Sequence, residues 1–223
     1  MIIDLNIENK NVLVIGAGIE GTKKIKLLLN NKCNLTIISE EFDQDILCYE
    51  KKYDLQLIQK KVEDINILNE FDNLFMIFAT TNNKYLNRQI TRWARNSKVL
   101  AYSIDDYEKS DFAFMSIINI EELIQIAIST SGKSPIMNKI IKHKIEKVIK
   151  NIIGKNDIDN IKIQEFARTY AKKYIEKPNE RKDFLYSLIN NHEIQELLNK
   201  NDIDKVKERI INILDKLENN KGR

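Results

Sequence analysis

Short apolar runs alternate with segments of helical periodicity through the first half of the chain. Continuous apolar runs predict five buried strands, at Asn11 to Ile15, Leu35 to Ile38, Leu55 to Ile58, Leu74 to Ala79 and Val99 to Ile104. Apolar residues recur at helical spacing around Ile25 to Leu29 and from Tyr85 to Asn96. Strands separated by helices are typical of an α/β fold, so the pattern predicts a doubly wound parallel sheet.

The pattern changes after Asp106. Two β-like runs, Phe112 to Ile118 and Leu123 to Ser129, are joined by a short polar segment and predict a hairpin. Pro135 precedes a predicted helix from Ile136 to Ile153, and the chain beyond Gly154 has helical periodicity throughout. We therefore expect an α/β part at residues 1–111, a small α+β part at 112–153 and a helical part at 154–223.

Composition excludes several functional classes. The 36 Lys and Arg residues nearly balance 33 Asp and Glu, and this net charge of +3 argues against a general nucleic-acid binder. The only two cysteines, Cys33 and Cys48, fit neither a disulfide scaffold nor a zinc site, and favour the cytoplasm. The longest apolar run is far shorter than the ~20 residues of a membrane-spanning helix, and the first residues do not form a signal peptide. We expect a cytoplasmic protein with no membrane partner.

Three of the six glycines fall in one short run that directly follows the first strand. Gly16, Gly18 and Gly21 form Gly-x-Gly-x-x-Gly between a predicted strand and a predicted helix. In that context Gly16 allows a tight turn, Gly18 lets the backbone approach a pyrophosphate, and Gly21 allows close packing of helix and strand. The pattern favours nucleotide binding, and the alternative is a structural turn that binds nothing.

An acidic pair follows the second predicted strand. Glu40 and Glu41 lie ~20 residues after the glycine turn, where a carboxylate accepts hydrogen bonds from an adenosine ribose. Such a carboxylate would repel a 2′-phosphate, so NAD is favoured over NADP. An exposed turn with two solvated charges explains the pair almost equally well.

Polar residues also follow the two later strands, at the edge where such sheets bind ligands. Thr80 and Thr81 begin a polar segment after a buried strand, and could line a cofactor cleft or cap the next helix. Asp105 and Asp106 end the strand that begins at Val99, and a carboxylate there could take a proton while hydride leaves to a cofactor. On the bare sequence, an aspartate pair at a strand end is more often a turn.

A hydroxyl-rich loop precedes the helix that starts after Pro135. Its residues offer hydroxyls, a cation and backbone amides, which suit a phosphate or carboxylate, and they are Thr130, Ser131, Gly132, Lys133 and Ser134. The same loop could simply cap the helix. The two histidines, His143 and His192, have no second metal-ligand type at useful spacing, so no metal site is predicted.

The order and spacing of these motifs resemble those of the precorrin-2 dehydrogenase / sirohydrochlorin ferrochelatase family, which also forms the amino-terminal half of siroheme synthases. The matching segments are Val12 to Lys24, Leu35 to Glu41, Ala79 to Asn83, Ser103 to Asp106, Ser110 to Phe114, Ile126 to Pro135 and Asn179 to Phe184. Two positions depart from the family pattern, Glu40 and Met115, where relatives commonly have proline. The first departure leaves the ribose contact open.

The resemblance implies a Rossmann NAD domain, a central dimerisation region and a helical carboxyl-terminal domain. It implies a homodimer that uses NAD to oxidise precorrin-2 to sirohydrochlorin, and it leaves open whether the protein also inserts ferrous iron. By position, the pyrophosphate would contact Gly16, Gly18, Ile19 and Glu20, the ribose would lie near Glu40 and Glu41, and the cleft would contain Thr80 and Thr81. Asp105 matches the proposed catalytic acid/base, and Thr130 lies in the substrate-facing loop.

A second class of protein shares part of this pattern. NAD-sensing regulatory modules of the potassium-channel-regulator type have the glycine turn, the acid after the second strand and an Ala-Thr motif. The segment from Asp105 to Pro135 argues against a sensor, because a sensor has no use for a second polar site beside the nicotinamide.

Overall fold

The computed structural model describes residues 2–221, with side chains described as far as Leu217. It divides into two compact units, Met1–Met115 and Ser116–Arg223. The first unit contains a five-stranded sheet with the order β3-β2-β1-β4-β5 and parallel pairing throughout. Its strands are β1 (Asn11–Ile15), β2 (Asn34–Ser39), β3 (Gln56–Gln59), β4 (Leu74–Ala79) and β5 (Leu100–Ser103). The predicted parallel sheet is confirmed.

Helices cover both faces of this sheet, and each face has its own core. On one face, α1 (Ile19–Leu28) and α2 (Gln44–Tyr53) bury Ile25 and Ile46 against the sheet. On the other, α3 (Lys84–Asn96) buries Leu86 and Ile90, together with a short 3-10 helix at Ile65–Glu70. Because adjacent residues of β1 belong to opposite cores, the strand is apolar and buried from Val12 to Ile15. The sheet is therefore doubly wound, as predicted.

The second unit combines a hairpin with five helices. Antiparallel strands β6 (Ser116–Ile120) and β7 (Ile124–Ile128) confirm the predicted hairpin, and α4 (Pro135–Ile152) packs against both strands. A separate apolar core joins the four remaining helices, which are α5 (Lys155–Tyr174), α6 (Pro178–Ile189), α7 (His192–Asn199) and α8 (Ile203–Lys221). Among the described residues, no helix is both long and apolar enough to cross a membrane. The division of this unit at residue 153 stays a prediction.

One predicted strand begins later than expected, and one helix was not predicted. The strand expected from Phe112 begins only at Ser116, because the Phe112 and Phe114 rings pack with Phe78 and Tyr102 in the first unit. The first unit accordingly extends to Met115, beyond the predicted end of the α/β part at residue 111. Helix α2 was not predicted, since only Ile46 of its ten residues is buried and its apolar repeat is weak.

Candidate cofactor and proton-transfer site

The glycine turn connects β1 to α1 by close backbone contacts. Gly16 has a φ of +99°, a conformation that side chains with a Cβ rarely adopt. A Cβ on Gly16 would lie 2.6 Å from the carbonyl oxygen of Thr80, and a Cβ on Gly21 would lie 2.1 Å from the carbonyl oxygen of Gly16. Both positions therefore require glycine. Gly16 allows the turn and the close contact with the end of β4, and Gly21 allows α1 to lie close to the turn.

Gly18 differs from the other two glycines, because open space surrounds it. No atom lies within 4 Å of a Cβ built there, and Gly18 is the N-cap of α1 with no side chain capping the helix. The first turn of α1, which includes Ile19 and Glu20, therefore has no side-chain cap at the positive end of the helix dipole. This arrangement fits the pyrophosphate of a dinucleotide, which binds to the backbone amides of such a turn.

The end of β2 is tied to the glycine turn by a residue that the sequence analysis did not single out for a role. Ser39 Oγ accepts a hydrogen bond from the Ala17 amide at 3.1 Å, and the Gly16 amide donates to the Ile38 carbonyl oxygen at 2.8 Å. Glu40 and Glu41 follow directly and are exposed. They therefore follow the strand whose end is bonded to the glycine turn, and a contact of either with a ribose stays a prediction.

The two threonines after β4 have different surroundings. Thr80 is buried, and its hydroxyl donates to the carbonyl oxygens of Ile15 and Gly16 at 3.0 and 2.7 Å. It therefore fixes the glycine turn through its hydroxyl. Thr81 is half-buried, and its hydroxyl donates at 2.7 Å to Oδ1 of the fully buried Asn87, whose amide nitrogen donates back to the Thr81 carbonyl oxygen. Asn87 thereby holds the β4–α3 loop in place.

The two aspartates after β5 differ in their surroundings: the Asp106 carboxylate has several polar neighbours, and the Asp105 carboxylate is exposed. Asp106 accepts from the Lys109 amide and lies 3.9 Å from Arg88 Nε and 3.5 Å from Lys109 Nζ. Asp105 is exposed, and its Oδ1 accepts a hydrogen bond of 2.6 Å from the buried Ser103 hydroxyl. In the described part of the chain, no protein group bonds to Asp105 Oδ2. Asp105 is thus held at one oxygen and open at the other, which suits proton transfer.

An aromatic cluster lies beside α1, the helix that follows the glycine turn. Lys24 Nζ lies 5.2 Å from the ring centroid of Tyr102 and 4.5 Å from that of Phe114. Desolvation by burial lowers the pKa of Lys24 from its ordinary value, while the Glu20 carboxylate partly opposes that shift. Burial likewise raises the pKa of the Tyr102 phenol. Sequence reasoning missed this cluster because its residues are far apart along the chain.

The hydroxyl-rich loop belongs to the second unit and is internally bonded. Thr130 Oγ1 accepts from the Ser134 amide at 3.2 Å, and Ser134 Oγ accepts from the Met137 amide, which caps α4. Ser131 and Gly132 have positive φ values, of 52° and 76°. The loop thus caps α4, while Ser131, Gly132 and Lys133 remain exposed and available to an anion.

The described residues contain no group of three or more metal-ligand side chains placed to hold a metal ion. The two histidines are exposed and each lies near a glutamate of its own helix, His143 beside Glu146 and His192 beside Glu196.

The four strand ends of the first unit bring most of the predicted site residues to one edge. Because β1, β2, β4 and β5 are parallel, their carboxyl ends lie on the same side of the sheet. The residues at this edge are Gly16, Gly18, Ile19, Glu20, Gly21, Glu40, Glu41, Thr80, Thr81 and Asp105. A glycine turn with an uncapped helix at this edge defines the class: a dinucleotide-binding α/β protein.

Comparison with known families agrees with this class. A family profile described as "Putative NAD(P)-binding" matches residues 3–116, just over half of the chain. The chain belongs to this NAD(P)-binding family.

Curated relatives and a solved structure extend the similarity over nearly the whole chain. The siroheme synthase of Buchnera aphidicola subsp. Acyrthosiphon pisum is 32% identical over 95% of this chain and 42% of its own length. That of Actinobacillus succinogenes is 28% identical over 88% of this chain and 39% of its own length. The chain thus spans about two fifths of these relatives. The solved structure of "SirC, precorrin-2 dehydrogenase" has a TM-score of 0.68 and 18% identity, covering 97% of this chain and 99% of that one, and shares the fold.

Proposed function

We propose that this protein is an NAD-dependent dehydrogenase that oxidises precorrin-2 to sirohydrochlorin. The observation that carries the proposal is the exposed Asp105 carboxylate, which lies at the same sheet edge as the open, uncapped amino terminus of α1. One group is suited to proton transfer and the other to a dinucleotide pyrophosphate. The names of a siroheme synthase relative and of the SirC structure support precorrin-2 as the substrate.

The cofactor we infer is NAD. The exposed Glu40 and Glu41 follow the strand that Ser39 ties to the glycine turn, so their negative charge lies where a ribose would sit. A 2′-phosphate would be repelled there, whereas a 2′-hydroxyl can donate a hydrogen bond to a carboxylate. We therefore expect NADP to bind more weakly than NAD, measured by titrating the protein with each cofactor. Equal affinities for NAD and NADP would contradict a role of either glutamate in recognising the ribose.

The oxidation removes two electrons and two hydrogens from the substrate, one leaving as hydride and one as a proton. Bound NAD would supply the hydride acceptor. Asp105 Oδ2 accepts the proton, while the Ser103 hydroxyl holds Oδ1 and so fixes the direction of the carboxylate. Thr80 and Asn87 keep the surrounding loops rigid through their hydrogen bonds.

The hydroxyl-rich loop is our candidate for holding the carboxylates of the substrate. Ser131, Gly132 and Lys133 are exposed, and Thr130 and Ser134 fix the shape of the loop by bonding to each other. Charge-assisted hydrogen bonds from Lys133 and from loop hydroxyls would orient the tetrapyrrole. We place the reaction in the cytoplasm, which the two unpaired cysteines, Cys33 and Cys48, support.

The function is tested by anaerobic incubation of the protein with enzymatically generated precorrin-2, with NAD, with NADP or with neither. We expect sirohydrochlorin to form rapidly only with NAD. Adding ferrous iron afterwards determines whether siroheme follows, with iron as a substrate of that second step. Tight NAD binding without any oxidation would instead favour the NAD-sensing regulatory module.

We further propose that the protein is a homodimer joined through α4 and the β6–β7 hairpin. No residue of α4 is buried, and its exposed apolar side chains include Ile136, Ile140, Val148 and Ile152, with Ile136 at 73% exposure. Apolar side chains of this size on one side of a helix are usually covered by a partner. The family resemblance supports a second copy as that partner.

Replacing Ile140 and Val148 together with aspartate is expected to convert the dimer to a folded monomer. Both side chains are exposed within the chain, so the change places charge in the interface and leaves the core intact. Sedimentation velocity reports the mass, and Lys139→Glu on another side of α4 is the control. A wild-type monomer, or a variant that stays dimeric, would contradict this assignment.

A further inference from the structure

A groove lies between α5 and α6 of the second unit, and none of its lining residues belongs to the site described above. Its volume is about 540 Å³. That is within the range of about 300–1,000 Å³ found for small-molecule sites. The helices hold each other in register here, since Gln164 Nε2 donates at 2.9 Å to the Leu185 carbonyl oxygen. The groove is therefore a fixed feature of the helix pair.

Four cationic side chains line this groove. Arg168 and Lys172 are one turn apart on α5, and Arg181 and Lys182 lie in the second turn of α6. Within the part of the chain that the structure describes, none of the four forms an ion pair. Arg181 Nη1 donates to the carbonyl oxygens of Ile175 and Glu176, both at 2.7 Å, which fixes its guanidinium at the end of α5. The groove thus brings four cationic side chains together with no ion-pair partner among the described residues.

Most of the remaining wall of the groove is apolar. Tyr186 and Ile189 follow Lys182 on α6 at helical spacing and are both exposed, Tyr186 at 59%. Lys182 Nζ lies 5.9 Å from the centroid of the Tyr186 ring, so a cation and an aromatic face are presented side by side. Such a combination suits a ligand that has acidic groups attached to an apolar ring system.

We propose that this groove, formed by α5 and α6 alone, is a second binding site for a polycarboxylate tetrapyrrole, the substrate or product of the reaction. The groove chemistry selects an organic polyanion with an apolar body, and the choice of tetrapyrrole rests on the proposed function. The exposed Tyr186 ring, with Lys182 beside it, favours a ring compound over an acidic polypeptide.

The experiment is a fluorescence titration of the full-length protein with uroporphyrin I, an octacarboxylate porphyrin. The variant Arg168→Gln/Lys172→Gln removes two positive charges from the groove. We expect it to raise the dissociation constant of uroporphyrin at the groove about tenfold. The control, Lys200→Gln/Lys216→Gln, removes the same charge from exposed positions outside the groove and should bind as wild type does. Tyr186→Ala should weaken binding about threefold or more, because it removes the aromatic wall.

Two further readouts make the result specific. At saturating precorrin-2, the NAD-dependent rate of the groove variant should equal the wild-type rate, and poly-L-glutamate should displace the probe poorly at equal carboxylate concentration. The proposal is overturned if the groove variant binds uroporphyrin as tightly as wild type, or if poly-L-glutamate displaces the probe fully. If the wild-type protein fails to oxidise precorrin-2, the proposed function is refuted. The titration still decides whether the groove binds uroporphyrin, because it does not depend on the reaction.

Discussion

Gly21→Ala is expected to lower the melting temperature of the protein by about 4–8 °C and to abolish measurable NAD binding. The added Cβ would lie 2.1 Å from the Gly16 carbonyl oxygen, which is backbone and cannot move aside alone. Alanine gains about 1 kcal/mol in helix propensity, but forcing α1 away from the turn costs about 3 kcal/mol or more. The clash therefore outweighs the gain. Thermal unfolding followed by circular dichroism measures the shift.

Gly18→Ala in the same motif is the matched control. Gly18 has φ of −67° and no atom within 4 Å of an added Cβ, so alanine should leave the melting temperature unchanged within about 2 °C. The methyl group would nevertheless occupy the open space where the backbone meets the pyrophosphate, and NAD affinity should fall about tenfold or more. If Gly21→Ala has the same melting temperature as Gly18→Ala, the contact between α1 and the turn is not as close as described.

Asp105→Asn is expected to lower kcat for precorrin-2 oxidation by about 10²–10⁴-fold, with NAD affinity unchanged. Asparagine keeps the size of the side chain and can still accept the 2.6 Å hydrogen bond from Ser103, but its amide cannot take up a proton. Loss of the proton acceptor lowers the rate of the chemical step without disturbing the glycine turn. Single-turnover formation of sirohydrochlorin under saturating NAD measures the effect.

Asp106→Asn controls for the loss of one negative charge at the same strand end. Its carboxylate bonds to the Lys109 amide and lies near Arg88 and Lys109, so the substitution should alter local stability modestly and leave kcat within about threefold of wild type. Equal losses in the two variants, or a larger loss in Asp106→Asn, would remove Asp105 from the mechanism.

The sheet was predictable because its strands are buried on both faces. β1 and β4 follow from the continuous apolar runs at 12–15 and 74–79, each of which contributes side chains to two cores. The hairpin also followed from the sequence, since its polar connection was short. Helix α2 was not predictable by the same means, because its Asp43 cap and single buried residue, Ile46, give little periodic signal.

The start of β6 could not be read from the sequence for a different reason. Phe112 and Phe114 alternate with other residues as strand residues do, but their rings pack against Phe78 and Tyr102, and Lys24 lies over Phe114. These contacts join positions that are distant along the chain, so local pattern does not reveal them. Tertiary packing overrides strand propensity at these positions.

The site was predictable as a set of strand ends but not in its internal contacts. The sequence placed Gly16, Glu40, Thr80 and Asp105 at one sheet edge, because parallel strands end together. It could not show that the Thr80 hydroxyl points at the glycine turn and that Ser103 bonds to Asp105. Hydroxyl direction depends on side-chain geometry in the folded protein, which residue types and spacing do not specify.

The most direct test of the central claim is the stoichiometry of the reaction under anaerobic conditions. NADH and sirohydrochlorin are recorded together, by their separate absorbance bands, after precorrin-2 is added to the wild-type protein with excess NAD. We expect one NADH for each sirohydrochlorin formed, and no enzymatic oxidation when NAD is omitted. Sirohydrochlorin formation at the same rate without NAD, or NAD binding with no NADH formed, would contradict it.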